Sequence, residues 1–457
     1  MKALFKQVDI TPIVFMRVVY GCMAFGEIMG LFAFYHLYHN TFEADAFHFR
    51  YHSLDWVRPL QEPFMSIVFI TGLIGSIGIV FGKYFRLSCF ITGSVMLYAF
   101  CAEQSLYLNH GYLMICMAFI LMWFPMNRSF SLDVRKNPDK RYLTVPVYYQ
   151  VILAFLMGVV YFFGGIAKLN PDWLRAQPLL MWMEYKRNLF LIGPLVKQDF
   201  VAWIMAYGGF LFDLSCPFLL AFRKTRKLGI SLAISFHVIN VMIFNIGAFP
   251  WLSLGLSLMF FPPDLIPRFI AWLSRRVKFI GNWKNNYDKR YQGYGIPMPV
   301  GPSKQRLMSV LFIALVSYNM LMPLRHHLYN GNVNWTEEGH KFSWRMMLRG
   351  KSGRGSFFIK DEQGKVIATV TGKKELTKRQ RQRLWGHPDR VVQFAHYIGD
   401  KYEAEGYGKV SVYGNIKVRL NDHEYQTFID PDVDLRKVEW KQFRTESYIM
   451  PFEFSPR

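Results

Sequence analysis

Apolar residues in this chain of 457 residues fall into blocks separated by short polar stretches. The blocks lie at about residues 11–37, 64–82, 84–101, 112–126, 145–167, 200–222, 228–247, 250–262 and 307–323. A helix needs about 20 apolar residues to cross the hydrocarbon core of a bilayer. Several blocks reach that length, and the shorter ones approach it once their polar tips are counted. The pattern predicts nine transmembrane helices, with the 64–101 and 228–262 pairs joined by tight turns.

After Leu324 the pattern changes to that of a water-soluble unit. The stretch "SFFIKDEQGKVIATV" reads as a β-hairpin turning at Asp361–Gly364. Val391, Phe394, Ala395, Ile398 and Tyr402 recur at helical spacing and predict one buried stripe. "KVSVYGNIKVRL" alternates as a strand. The expectation is a polytopic α-helical membrane protein with a transmembrane domain over 1–323. A small extracytoplasmic α/β domain over 324–457 rests on the outer ends of the spans.

Composition agrees, with 52% hydrophobic and 17% aromatic residues, richer than a soluble chain. The net charge of +22 would point to nucleic acid if it covered one soluble face. Its placement excludes that reading. With the N-terminus inside, the N-terminal and inter-span segments place 22 Lys and Arg on the inner side against seven outside. The outer seven are Arg50, Arg58, Lys168, Arg175, Lys186, Arg187 and Lys197. The positive-inside rule therefore predicts a cytoplasmic N-terminus and an extracytoplasmic C-terminus, as in a bacterial inner membrane, with no nucleic-acid partner. The first block lacks a small-residue cleavage pattern and is expected to act as an uncleaved anchor.

The five cysteines, Cys22, Cys89, Cys101, Cys116 and Cys216, lie in or beside the spans without metal-ligand spacing, so neither a disulfide framework nor a metal is expected. In "DLIPRFIAWLSRRVKFI", apolar and basic residues interleave as in an amphipathic helix lying on the inner lipid surface. A Gly/Pro linker, Tyr291 to Lys304, follows it.

Four polar residues interrupt otherwise apolar surroundings. Asn109 and His110 stand in "LYLNHGYLM", Lys168 in "YFFGGIAKLNPDWL", and His237 about ten residues into the seventh block. Ionisable groups at membrane depth are costly and mark functional sites by default. Each also has a plainer reading: Lys168 as a snorkelling anchor, His237 as a helix–helix hydrogen bond, Asn109 and His110 as ordinary loop residues. The residues by themselves support a membrane enzyme or binder with an outward-facing polar site.

Several segments resemble, in one order along the chain, those of the vitamin K-dependent γ-glutamyl carboxylases. "GGIAKLNPDWL" is similar to the segment holding their catalytic lysine, and "LNHGYL" to their Asn-His-Ser-Tyr-Leu segment. "GGFLFDLSCPFLL" resembles their Gly-Gly span with Asp-Leu-Ser, and "FHVINVMIFNIGAF" their histidine-bearing span. "NVNWT", "FSWRMM" and "IDPDVDL" resemble parts of their lumenal domain. His340 stands where animal members carry Tyr, and Arg345 where they carry Asp.

The resemblance implies an enzyme that couples oxidation of vitamin K hydroquinone (phylloquinol or menaquinol) to its epoxide with carboxylation of protein glutamate to γ-carboxyglutamate. O2 and CO2 are co-substrates, and no metal takes part. Oxidation of the quinol generates, in place, a base strong enough to deprotonate the glutamate γ-carbon. Lys168 matches the residue that deprotonates the hydroquinone. Burial against Phe162, Phe163 and Ile166 is expected to disfavour its ammonium form. His110 would hold the charge developing at the glutamate, and Asn109 would hydrogen-bond the quinol oxygen. Gly164 and Gly165 would admit the planar quinol, His237 and Phe249 would lie near it, and Trp344, Met346 and Met347 would close the pocket. Implied partners are a glutamate-containing protein or peptide, membrane lipid, and a quinone reductase that recycles the cofactor. The alternative is a quinone-binding or quinol-epoxidising membrane protein that does not carboxylate protein.

Overall fold

The computed structural model describes residues 2–37, 46–186, 188, 193–244, 246–439 and 445–456. Arg187, one of the outer-side basic residues, falls outside them.

Seven helices among the described residues are long and apolar enough to cross a membrane. They are α1 (Thr11–Leu37), α2 (Phe64–Phe81), α3 (Phe85–Ala102), α5 (Tyr148–Ala167), α6 (Asp199–Ala221), α7 (Arg226–Ile243) and α11 (Pro302–Leu321). Two of the nine expected spans are built differently. Helix α4 (Asn109–Leu121) has 13 residues, about 20 Å at 1.5 Å per residue. Helix α8 (Phe249–Ser257) has nine residues. Pro250 opens α8, and beyond Pro262 and Pro263 the chain turns by 106° into α9 (Leu265–Arg276). Counting that bent pair as one span gives eight.

Exposure is inverted relative to a soluble bundle. On α2, Ile67, Ile70, Ile74 and Ile77 face outward, while Met65, Phe69, Gly72 and Ser76 are buried. A continuous apolar outer face of this kind suits lipid as the solvent. Helices α9 and α10 (Lys278–Arg290) bury no residue. They expose Phe269, Trp272, Phe279 and Trp283 beside their arginines and lysines, as the amphipathic reading of this stretch expects.

A small sheet was not foreseen. Strands β1 (Gln7–Asp9), β2 (Tyr142–Pro146) and β3 (Ile296–Pro297) pair in that order, so the expected linker supplies an edge strand. The two or three residues of β3 and β1 are too few to carry a period.

The C-terminal part forms an antiparallel sheet in the order β5-β4-β6-β7, from β4 (Lys351–Lys360), β5 (Val366–Val370), β6 (Ser411–Leu420) and β7 (Gln426–Thr427). The hairpin turns at Asp361, whose Oδ1 accepts from Gln363 and Lys365, with Gly364 at φ +81°. Helices α12 (Lys378–Leu384) and α13 (Pro388–Tyr402) cover the sheet. Val391, Phe394, Ala395 and Ile398 are buried against Phe357, Ile359, Val412 and Ile416, while Tyr402 is only partly buried.

This unit is tied to loop residues at one end of the helical bundle. Phe49, between α1 and α2, is buried in its core. Arg390 donates to Gln104 Oε1 (2.9 Å), and Gln380 donates to Glu103 Oε2 (3.0 Å), both just after α3. Lys168 and His110 lie at the same end of the bundle.

Candidate active site

Helix α5 ends at Lys168 because Asn170 precedes Pro171 and adopts extended backbone (φ −140°, ψ 156°), as a pre-proline residue prefers. Its side chain then caps the next short turn by accepting from Trp173 N. This break leaves Lys168 at the helix end with 6% exposure. Its Nζ donates to Asp213 Oδ2 at 2.5 Å and to Gly164 O at 3.3 Å, and lies 5.1 Å from the centre of the Trp173 ring.

The carboxylate partner was not anticipated. Phe162, Phe163 and Ile166 pack into the bundle core and do not line the cavity in front of the lysine. A carboxylate at contact distance stabilises an ammonium and opposes what burial does. The available sequence signal was that Asp213 is the single charged residue between 200 and 222.

Gly165 brings the pair together. A Cβ there would lie 2.7 Å from Leu214 N, so the close approach it permits is of α6 to α5, not of a ligand. A Cβ at Gly164 would face Asp213 Oδ2 at 3.4 Å and Met346 Cε at 3.9 Å.

Lys168 and Asp213 open onto a cavity of about 870 Å³ that Asn109, His110, His237, Phe249, Met346 and Met347 also line. Trp344 is absent from its lining and stacks at a tilt on Tyr112, ring centres 5.3 Å apart. Phe249 stands between two imidazoles, its ring 6.1 Å from both His110 and His237. His237 shares a 2.8 Å hydrogen bond between Nε2 and the Tyr161 hydroxyl, which also reaches Ser257 at 3.3 Å.

Asn109 is occupied with the roof. Its Oδ1 accepts from Tyr107 Oη (2.9 Å), and its Nδ2 donates to Arg345 O (3.0 Å). Tyr107 Oη in turn accepts from Phe342 N at 2.6 Å. The roof segment needs holding, because Phe342, Trp344 and Met347 all have positive φ (60°, 55° and 49°). Side chains rarely adopt that conformation unless the surroundings impose it.

The roof lines the cavity with positive charge. Lys341, Arg345, Arg349, Arg383 and Arg390 face it, with Glu337 as their only acidic neighbour in the lining from this unit. Burial alone would raise the Glu337 carboxyl, but Arg349 and Lys351 outweigh it and hold the group well below the usual carboxylate range. Burial, helped by Arg349, pushes the His340 imidazole well below its ordinary value. Arg349 donates to His340 Nε2 at 2.8 Å, which leaves the ring hydrogen on Nδ1. That buried N–H and the Nε–H of Arg345 have no hydrogen-bond partner among the described residues. Burial, again with Arg349, brings Arg345 down to about 10. Two unpartnered buried donors in a cationic roof suit an incoming anion.

A cluster of Asp172, Asp422 and His423 brings metal-type donor atoms within 4.8 Å of one another. Its hydrogen bonding is that of a staple. His423 Nδ1 accepts from Ser455 N, so Nε2 carries the hydrogen and donates to Asp172 Oδ1 at 2.8 Å. Asn421 donates to the other Asp172 oxygen at 2.7 Å, and Arg175 pairs with Asp422. The Lys168 loop is thereby fixed to the end of β6.

Residues 5–265 match the HTTM domain model, and residues 304–455 match the model of the vitamin K-dependent gamma-carboxylase lumenal domain. The chain belongs to the vitamin K-dependent γ-carboxylase family. Its two matched regions imply a carboxylase-like function with a vitamin K cofactor and a glutamate-containing protein substrate. No solved structure matches this carboxylase-family chain.

Proposed function

We propose that the cavity carries out quinol-driven carboxylation of glutamate, with Lys168 as the group that takes the proton from a vitamin K hydroquinone. The observation that carries this reading is the buried Lys168–Asp213 pair at 2.5 Å, opening onto a cavity walled by Phe249, Trp173 and two imidazoles. The donor set fits the cofactor. A planar aromatic quinol finds aromatic walls, and its oxygens find Lys168 and His237. When bound, and with O2 as co-substrate, the cofactor supplies the strong base that the side chains cannot.

The remaining work belongs to the chain. Asp213 orients Lys168 and takes up its proton. His110 stabilises the negative charge that develops at the glutamate and at incoming CO2. The roof arginines hold the glutamate carboxylate through charge-assisted hydrogen bonds, and Arg345 Nε and His340 Nδ1 are the free donors for it. The roof segment, with Met346 and Met347, keeps water from quenching the base. Asn109 acts by pinning that roof, in addition to any bond to the quinol. Quinol enters from lipid, the peptide arrives from the aqueous side, and a quinone reductase returns the product to the quinol.

His110→Ala is expected to impair carboxylation more than quinol epoxidation, because its role follows formation of the base. Equal loss of both, in parallel assays of epoxide and modified peptide, would move His110 into quinol activation.

The reading includes an orientation, with the cavity and C-terminus on the extracytoplasmic side of a bacterial inner membrane. The charge bias of the loops supports it. A reporter fused after Arg457 should be active only outside the cytosol, and activity inside would reverse the topology.

A further inference from the structure

Two compartments meet beside His110, at Leu108, which lines both. His110 lines the main cavity, and behind it an apolar groove of about 490 Å³ runs along α1 and the start of α8. Among the described residues, the groove's only charged lining groups are Glu27 and Arg379. Glu27 Oε1 lies 3.6 Å from His110 Nε2, with both side chains largely buried. Glu27 is also the single acidic residue between 11 and 37, within a helix that spans the membrane, where a carboxylate is costly without a task. Beside it the groove has room, since a Cβ at Gly26 or Gly30 would meet nothing within 4 Å.

We propose that Glu27 is the proton acceptor behind His110, so that the pair carries a proton out of the reaction cavity into the groove. The inference rests on the reaction proposed above. Hydroquinone, O2, CO2 and a glutamate γ-C–H become epoxide, water, a new carboxylate and one proton. The γ-carbon hydrogen and one hydroquinone hydrogen end in water, and the other hydroquinone proton, taken up through Lys168, is left over in the cavity at each turnover. A cavity that excludes water cannot retain it, because Lys168, Lys186, Lys341, Arg345, Arg349, Arg383 and Arg390 face that space, with Asp213 and Glu337 opposing them and His340 and His387 beside them. The imidazole of His237 faces it as well.

His110 accepts the proton on one ring nitrogen and releases the Nε2 proton to Glu27 Oε1, which leaves it on the groove side, where Arg379 is the other charged group. At 3.6 Å the contact is slightly too long for a hydrogen bond, and catalytic contacts commonly tighten when substrate binds. Glu27 touches no substrate. It acts through His110 as a positioning and proton-accepting residue.

Two measurements test this. In quinol-free protein reconstituted in nanodiscs, histidine nitrogen NMR of Glu27→Gln should show altered ring shifts for His110 and unchanged shifts for His237. An unaltered His110 signal would overturn the pairing, whatever reaction the protein catalyses. In the full assay, Glu27→Ala should lose roughly hundredfold in kcat, with KM for the glutamyl peptide unchanged. Added formate should restore part of the loss, since the vacated space admits a small acid, and Glu27→Asp should retain more activity than Glu27→Ala. Loss confined to KM, or no recovery with formate, would overturn the relay. If wild-type protein oxidises quinol but carboxylates nothing, the proposed reaction fails, and the NMR result still decides the pair.

Discussion

Lys168→Arg is expected to abolish both quinol epoxidation and carboxylation while the protein still folds and inserts. A guanidinium snorkels as well as an ammonium and pairs with Asp213 at least as well, so an anchoring or structural role would survive the change. It cannot give up its proton at any working pH, so a role as base would not. Lys168→Ala should also lose both activities, yet recover part of its epoxidation with small added amines. Recovery should grow with pH as more amine becomes neutral, because deleting the butylamine side chain leaves room for it. Near-normal epoxidation by Lys168→Arg would remove Lys168 from the chemistry.

Asp213→Asn is expected to cut both activities by roughly a hundredfold, the scale of one lost proton-transfer partner. The pair is buried, with side-chain exposures of 8% and 9%. Removing one charge strands the other, at a cost of about 3–5 kcal/mol, so the thermal midpoint should fall as well. The double variant Lys168→Met/Asp213→Leu separates the two effects. Replacing both charges with apolar side chains should recover much of the stability while leaving the protein inactive. Full activity in Asp213→Asn would mean that Lys168 needs no proton acceptor, and the relay would be wrong.

The membrane class and the C-terminal strands and helix were legible because they rest on periodicity. The apolar block at 64–82 and the stripe from Val391 to Ile398 repeat along the sequence, and the hairpin turn at Asp361–Gly364 is marked by its residue types. Span count was harder. Prolines 250, 262 and 263 shorten α8 and turn the chain, and no hydropathy average registers a 106° bend.

At the site, the odd polar residues of apolar blocks were visible one at a time, and the cavity gathers Lys168, His110, Asn109 and His237 along its lining. Their partners were not visible. Asp213 meets Lys168 across 45 positions, and Asn109 meets Arg345 across 236. No local spacing encodes such contacts. Glu27 and Asp213 share one signal that was available, each being the single acidic residue of an apolar block, and both prove to face a cationic or imidazole partner. Trp344 and Gly165 lie outside the cavity lining. Their positions resemble the family's, but Trp344 packs on Tyr112 and Gly165 serves the crossing of two helices.

The central claim is that quinol oxidation in this cavity is spent on putting CO2 onto glutamate. The direct test incubates purified protein with vitamin K hydroquinone, O2, isotopically labelled bicarbonate and a glutamyl peptide, followed by mass spectrometry of the peptide. The account predicts that a glutamate gains the mass of one labelled CO2 with the wild type and none with Lys168→Arg. Quinone epoxide accumulating beside an unmodified peptide in the wild-type reaction would contradict it.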